Sequence, residues 1–280
     1  MEQKKLPIKK DRKLFVVTHL LWWIIFFFVS YTFFELIMNK GDTFPSKPTI
    51  LKIVLAGILA ILLDLINYYI IMPRVLKQDK IYRAILLEVH KEGYSQNVID
   101  KMEEQLRLIK GDDRYDHYCN MYDLYLADAY CDLREFDRAW SCLNSVLPTT
   151  FVKLKDEIVL NSALPIIISA KEKNMSKAEY YMNEAQKVFR KYIGKDLRLD
   201  YTIDLAYFEF NMLKENYKVC EEFFEKYKDY DELKFMVCLN LVLFYQKQGR
   251  KGEAEQAFTE ANQLVRNDYM KRLLYMTQEM

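Results

Sequence analysis

Four small residues, Ala139, Ala178, Cys220 and Ala254, recur at intervals of 39, 42 and 34 residues, each among large apolar residues at helical spacing. Ala139 stands with Leu126, Ala127, Tyr130, Phe136, Leu143 and Val146, and Ala178 with Leu164, Met175, Met182 and Ala185. Cys220 is framed by Tyr207, Phe208, Tyr217, Phe224 and Tyr227, and Ala254 by Leu241, Val242, Tyr245, Phe258 and Ala261. Steps of three and four put each set on one face of a helix. The small residue lets a second helix approach the first, and the large residue one turn later fills the groove beside it. One such pair alone leaves an apolar side in water, so pairs must stack, and about three or more are needed for stability. The spacing predicts stacked helix pairs over residues 115–280, with Tyr269, Leu273, Leu274 and Met276 on a final capping helix. Seven glycines and six prolines in 280 residues are too few for a turn-rich sandwich or barrel, so an all-α chain is expected.

These segments resemble tetratricopeptide repeats. The last unit carries the pattern best, with first-helix positions at Leu241, Val242 and Tyr245 and the second-helix Ala-x3-Phe-x2-Ala at Ala254, Phe258 and Ala261. The first unit matches at Leu126, Ala127, Tyr130 and Ala139 but holds Asp123 where the family often has tryptophan. The middle units depart further, with Pro165 inside a first helix and Cys220 in place of alanine. The resemblance spans residues 115–265 and implies an α-solenoid whose first helices line a concave face. On that face it places Asp128, Asp132, Lys171, Glu209 and Gln246 as a partner-binding groove. The face leans acidic, and the lysine and asparagine set with which such domains grip a chaperone's acidic tail is not reproduced there, so a basic or mixed peptide is expected, with plain structural surface as the alternative. The pattern specifies packing rather than chemistry.

Residues 74–114 continue the helical periodicity. Ile81, Ile85, Leu86 and Val89 precede a Gly93-Tyr94-Ser95 break with Ser95 as N-cap, and Val98, Ile99, Met102, Leu106 and Ile109 follow. They read as a degenerate first repeat that caps the stack, or as a juxtamembrane connector. The connector reading depends on the N-terminus. Residues 1–13 are basic, with six Lys/Arg, and Leu14–Phe34 is a run of 21 residues without formal charge. A second run of 21, Ile53–Pro73, has Asp64 as its one charge. At about 1.5 Å of rise per residue, either run covers the roughly 30 Å hydrocarbon layer. The expectation is a transmembrane helical hairpin, with helices over 14–38 and 50–73 joined by a short extracytoplasmic loop over 39–49. A cleaved signal peptide competes with it, but the run is too long and Phe33–Met38 offers no small-x-small site. Lysines and arginines flank both outer ends, which predicts a cell-membrane protein with both termini cytoplasmic and the lipid bilayer as a partner.

Within those runs His19 and Asn67 fall level and Asp64 one turn deeper, and the three form a candidate intramembrane polar cluster. A carboxylate in hydrocarbon costs about 2.5–3.5 kcal/mol on insertion scales and needs company. The cluster reads as a polar clasp within the hairpin or between copies in a homo-oligomer, as an ion relay, or as a shallow Asp64 reaching interfacial water.

Nothing in the sequence carries an enzyme's signature. There is no glycine-rich phosphate loop, His-Glu-x-x-His or Gly-x-Ser-x-Gly, so no catalytic residue and no cofactor is expected. Cys119, Cys131, Cys142, Cys220 and Cys238 are odd in number without paired spacing, which suits reduced thiols. His117-Tyr118-Cys119 lacks a second ligand pair, so no metal is expected either. Up to residue 72 there are nine Lys/Arg against five Asp/Glu, and beyond it 32 against 35, which offers nucleic acid no basic face. The expected function is a membrane-anchored, non-enzymatic adaptor presenting its groove to a protein or peptide on the cytoplasmic side. The alternative is an accessory subunit of a membrane transport or secretion complex, recognised through its transmembrane helices.

Overall fold

A computed structural model describes residues 72–112, 115–147 and 155–278, together with Ile24, Phe28, Val54, Gly57, Ile58, Leu59, Leu62 and Leu65. Among the described residues no strand occurs, and the all-α expectation holds. The chain divides into two units, Met1–Ile81 and Tyr82–Met280. In the first, the described side chains of Ile24, Phe28, Val54, Ile58, Leu62 and Leu65 are exposed.

The expected membrane placement is corrected. A span needs about 20 consecutive apolar residues, and among the described residues no helix is long and apolar enough to cross a membrane. The helix at the end of the second expected span, α1 (Met72–Glu92), has 21 residues but carries Lys77, Asp79, Lys80 and Arg83. The two-span hairpin therefore finds no support, and the cell-membrane localisation with cytoplasmic termini does not stand. Residues 1–13, most of 14–38 and 50–73, the loop 39–49, and the candidate cluster His19, Asp64 and Asn67 lie outside the described residues.

In the second unit α2 (Gln96–Ile109) follows the break, and Val98, Ile99 and Met102 on it are at most 1% exposed. Ser95 takes the N-cap position, but its hydroxyl makes no capping bond; the Val98 and Ile99 N–H groups donate to its carbonyl instead, at 2.9 and 3.0 Å. Four helix pairs then stack. They are α3 (Asp116–Asp132) with α4 (Phe136–Ser145), α5 (Lys155–Lys171) with α6 (Met175–Tyr192), α7 (Leu197–Leu213) with α8 (Tyr217–Tyr227), and α9 (Lys234–Lys247) with α10 (Lys251–Leu264). A last helix, α11 (Asp268–Gln278), follows them. The four small anchors are where second helices meet first helices: Ala139, Ala178 and Cys220 are 0% exposed and Ala254 is 7% exposed. Each second helix packs on its own first helix, and α5 lies between α3 and α7. By contrast α9 touches α7 only sparsely and packs on α10, with α8 and α11 beside it.

The turns inside the pairs repeat one geometry. Arg134, Lys173, Glu215 and Gly249 sit mid-turn with φ of 61°, 60°, 59° and 72°. The next N–H reaches back five residues, from Glu135 to the Tyr130 carbonyl and from Asn174 to Ser169 at 2.8 Å, and from Asn216 to Asn211 and Arg250 to Tyr245 at 2.9 Å. This is the helix stop that glycine ordinarily serves. Three of the four turns use a residue with a Cβ instead, at a cost of about 1–2 kcal/mol each.

Two further features fix the pairs. Beneath α7, α8 and α9, Phe208, Phe223, Phe224, Tyr227 and Phe244 form one buried cluster, with Phe208 stacked on Phe223 at a centroid distance of 4.8 Å. Between α4 and α5, Asn120 holds the connector. Its amide donates to the Leu147 carbonyl and to Glu157 Oε1, both at 3.0 Å, and its Oδ1 accepts from the Leu147 N–H at 2.8 Å. Pro165 is accommodated inside α5, where it leaves the Asn161 carbonyl one turn back without its helical donor.

Candidate functional site

The first helices bring the candidate groove residues to one interior. Asp128 and Asp132 stand one turn apart on α3. Lys171 of α5 donates to Asp132 Oδ1 at 3.1 Å, with Glu209 Oε1 of α7 at 3.9 Å on its other side. Gln246 of α9 donates to the Thr277 carbonyl of α11 at 2.9 Å.

This interior is covered by parts of the chain that the repeat pattern leaves out. The Tyr269 hydroxyl of α11 donates to Asp132 Oδ2 at 2.9 Å, and the Tyr94 hydroxyl, from the α1–α2 break, donates to Asp128 Oδ2 at 2.7 Å. The two rings meet edge to face with centroids 6.0 Å apart. Asn267 Nδ2 donates to the Glu92 carbonyl at 2.8 Å, which joins residues 175 positions apart. Gly93 makes this approach possible. Its φ of +65° favours glycine, and a Cβ there would fall 2.4 Å from Tyr269 Cδ1. The stack thus closes on itself, its last helix seated against the α1–α2 break.

Beside the closure lies a cavity of about 470 Å³ at the C-terminal ends of α3, α5 and α7. Met212, Met236, Leu239, Leu243, Leu273 and Met276 supply an apolar wall, and Asp132, Lys171 and Glu209 a charged one. Arg134, Lys173 and Glu215, the three residues held at positive φ without being glycine among the described residues, all line it, whereas Gly249 does not. Asn240 also lines it, 5% exposed, with its amide Nδ2 unpartnered.

Burial governs the electrostatics. It pushes the Asp128 carboxyl up to about 7, reinforced by the Asp132 charge and opposed by the Tyr94 hydrogen bond and Lys171. Burial likewise raises Glu209 against the pull of Lys171. For Lys171 burial works against the charge, but the Asp132 and Glu209 carboxylates outweigh it and hold the ammonium well above the usual lysine range. Burial, with the nearby carboxylates adding to it, carries Tyr94, Tyr201 and Tyr269 above the ordinary phenol range. These hydroxyls therefore remain donors at neutral pH. Desolvation also raises the Cys131 thiol, so no thiolate nucleophile forms there. The arrangement offers hydrogen-bond donors and acceptors beside an apolar wall, with one carboxyl, Asp128, raised to about 7.

All five cysteines are free. His117 Nδ1 meets the buried Glu157 Oε2 at 3.3 Å, and among the described residues no group of three or more His, Cys, Asp or Glu is placed to hold a metal ion. Sequence reasoning missed Tyr94, Tyr201, Asn240 and Tyr269. The first three carry no spacing signal, and Tyr269 was legible only as an apolar position of a cap.

No protein-family model matches the chain, and no curated protein or solved structure matches it either. What the coordinates define is therefore a class of architecture, an all-α stack of helix pairs compatible with a helical repeat.

Proposed function

We propose that the chain is a non-enzymatic interaction module, a tetratricopeptide-like adaptor whose inner chamber takes a segment of a protein or peptide partner. The observation that carries this reading is Asn240, a buried amide lining a cavity of about 470 Å³ with its donor unused. A buried donor without a partner costs about 1–3 kcal/mol, which a carbonyl or carboxylate oxygen on a ligand would recover. The thioether and leucine wall suits one or two apolar side chains, and the volume lies in the range of ligand pockets, about 300–1,000 Å³. The turns support the same reading. Arg134, Lys173 and Glu215 keep side chains at the chamber in a backbone conformation that disfavours them, and strain of this kind collects at binding sites. They offer both signs of charge, which suits a peptide of mixed charge with an apolar anchor. The repeat-like pattern at Leu241, Val242, Tyr245, Ala254, Phe258 and Ala261 agrees with a peptide-binding stack.

Selection of displayed short peptides on the purified chain tests this. Enriched peptides are expected to share an apolar anchor, and Asn240→Leu to weaken them about tenfold while Trp140→Ala, away from the chamber, leaves them unchanged. Failure to enrich any sequence, or equal affinity for Asn240→Leu, overturns the reading.

A further inference from the structure

A second cavity lies outside the chamber and shares no lining residue with it. It is a groove of about 300 Å³ between α4, α5 and α6, at the low end of the range for ligand pockets. Leu143 and Ala185 form its buried floor, and the half-buried rings of Trp140 and Tyr181 stand in it with centroids 5.7 Å apart. The tryptophan is fixed from outside the groove. Its indole N–H donates to Glu172 Oε2 at 3.0 Å, and the Lys177 ammonium, which is not part of the lining, sits 5.0 Å from its ring centroid. Tyr181 carries no such cation among the described residues.

The polar groups of the groove are acceptors in want of donors. Proline has no N–H, and its ring presses on the carbonyl one turn back, so Pro165 leaves the Asn161 carbonyl open on the side of α5 where both residues line the groove. Glu184 is the one charged side chain of the lining, and among the described residues it makes no ion pair, although Lys187 stands three residues on. The side-chain amides of Asn144 and Asn161 are unbonded as well, and either can present its oxygen.

We propose that this groove docks an arginine side chain of a protein partner, its guanidinium lying on Tyr181 and donating to the Asn161 carbonyl and the Glu184 carboxylate. The chemistry selects that group. A π face attracts a cation, a carboxylate and an open carbonyl repel an anion, and a planar fork of five N–H donors can lie flat on a ring while reaching two acceptors at its edge. A lysine ammonium is compact and strongly hydrated, and meets fewer of these demands at once. The chamber carries charges of both signs and the groove only one, so the two sites take different chemistry. The groove does not depend on the chamber reading. Peptides that it alone holds respond to Trp140→Ala and not to Asn240→Leu, so failure of either reading is told from failure of the other.

The experiment labels the full chain with fluorotryptophan and follows the fluorine resonance of Trp140, assigned by its loss in Trp140→Phe, as acetyl-arginine methylamide is added. A saturable shift in the millimolar range is expected, since one side chain is only part of a partner. The lysine amide should bind about fivefold more weakly, and the citrulline amide, which keeps the shape without the charge, about tenfold more weakly. Glu184→Gln, at an exposed position, should weaken the arginine amide about fivefold. Pro165→Ala returns an N–H to the Asn161 carbonyl, so it should raise the melting temperature and yet weaken binding about fivefold, a combination that damage to the fold would not produce. Absence of a saturable shift, an equal affinity for the citrulline or the lysine amide, or parent-like binding by both Glu184→Gln and Pro165→Ala overturns the proposal.

Discussion

Phe208 and Glu209 are neighbours on α7, yet they enter two different interiors. Phe208, 2% exposed, joins an aromatic cluster in which every ring has ring partners and nothing titrates near neutrality. Glu209, with a side chain 12% exposed, enters a chamber that keeps charge, an unused amide and three strained turns. The first interior is what packing favours. The second gives up stability that apolar residues of similar volume would supply, a departure from local consistency expected where a protein binds something.

Four tests can break that contrast. The largest effect belongs to Phe208→Ala, expected to cost about 3–5 kcal/mol in denaturant unfolding, against less than about 1 kcal/mol for Glu209→Gln. Equal costs would erase the distinction. Next, Lys171→Met leaves Asp132 and Glu209 facing one another. Breaking a buried pair costs about 3–5 kcal/mol, but these side chains are 12–25% exposed, so about 1–3 kcal/mol is expected near pH 8 and less in acid. A third test sharpens the comparison through pH. Burial lifts Asp123 to about 6 and Asp128 to about 7, so the folded chain holds protons that the unfolded chain releases. Stability is therefore gained as pH falls through those values and lost as it rises through them. The melting temperature should drop from about pH 5 to about pH 8, and the drop should shrink in Asp128→Asn. The smallest effect lies in the turns. Arg134→Gly should stabilise the chain by about 0.5–1 kcal/mol while weakening peptide binding, and Gly249→Ala should destabilise it by about 1 kcal/mol.

The stack was legible because its cause is local. Ala139, Ala178, Cys220 and Ala254 recur at a period set by one helix pair, and each proves buried where two helices meet. The inner polar face was legible through the same register, which is why Asp128, Asp132, Lys171, Glu209 and Gln246 share an interior. The closure was not, because Asn267 meets Glu92 across 175 residues and no periodicity spans that distance. The turns were hidden for another reason: Arg134, Lys173 and Glu215 are not residues that announce positive φ. Asn240 lies beside two repeat positions, Leu241 and Val242, and only its unpartnered buried amide marks it. Length and apolarity over 14–38 and 50–73 led to a membrane expectation that no described helix supports.

The central claim, that α11 closes the stack onto the α1–α2 break, is tested most directly by hydrogen exchange on Tyr269→Phe, which removes one hydroxyl and leaves the ring on Gly93. The account predicts faster exchange in two segments distant in sequence, Asp268–Gln278 and the first turn of α2, with Tyr217–Tyr227 unchanged. Faster exchange confined to α11, or none in either segment, would contradict it.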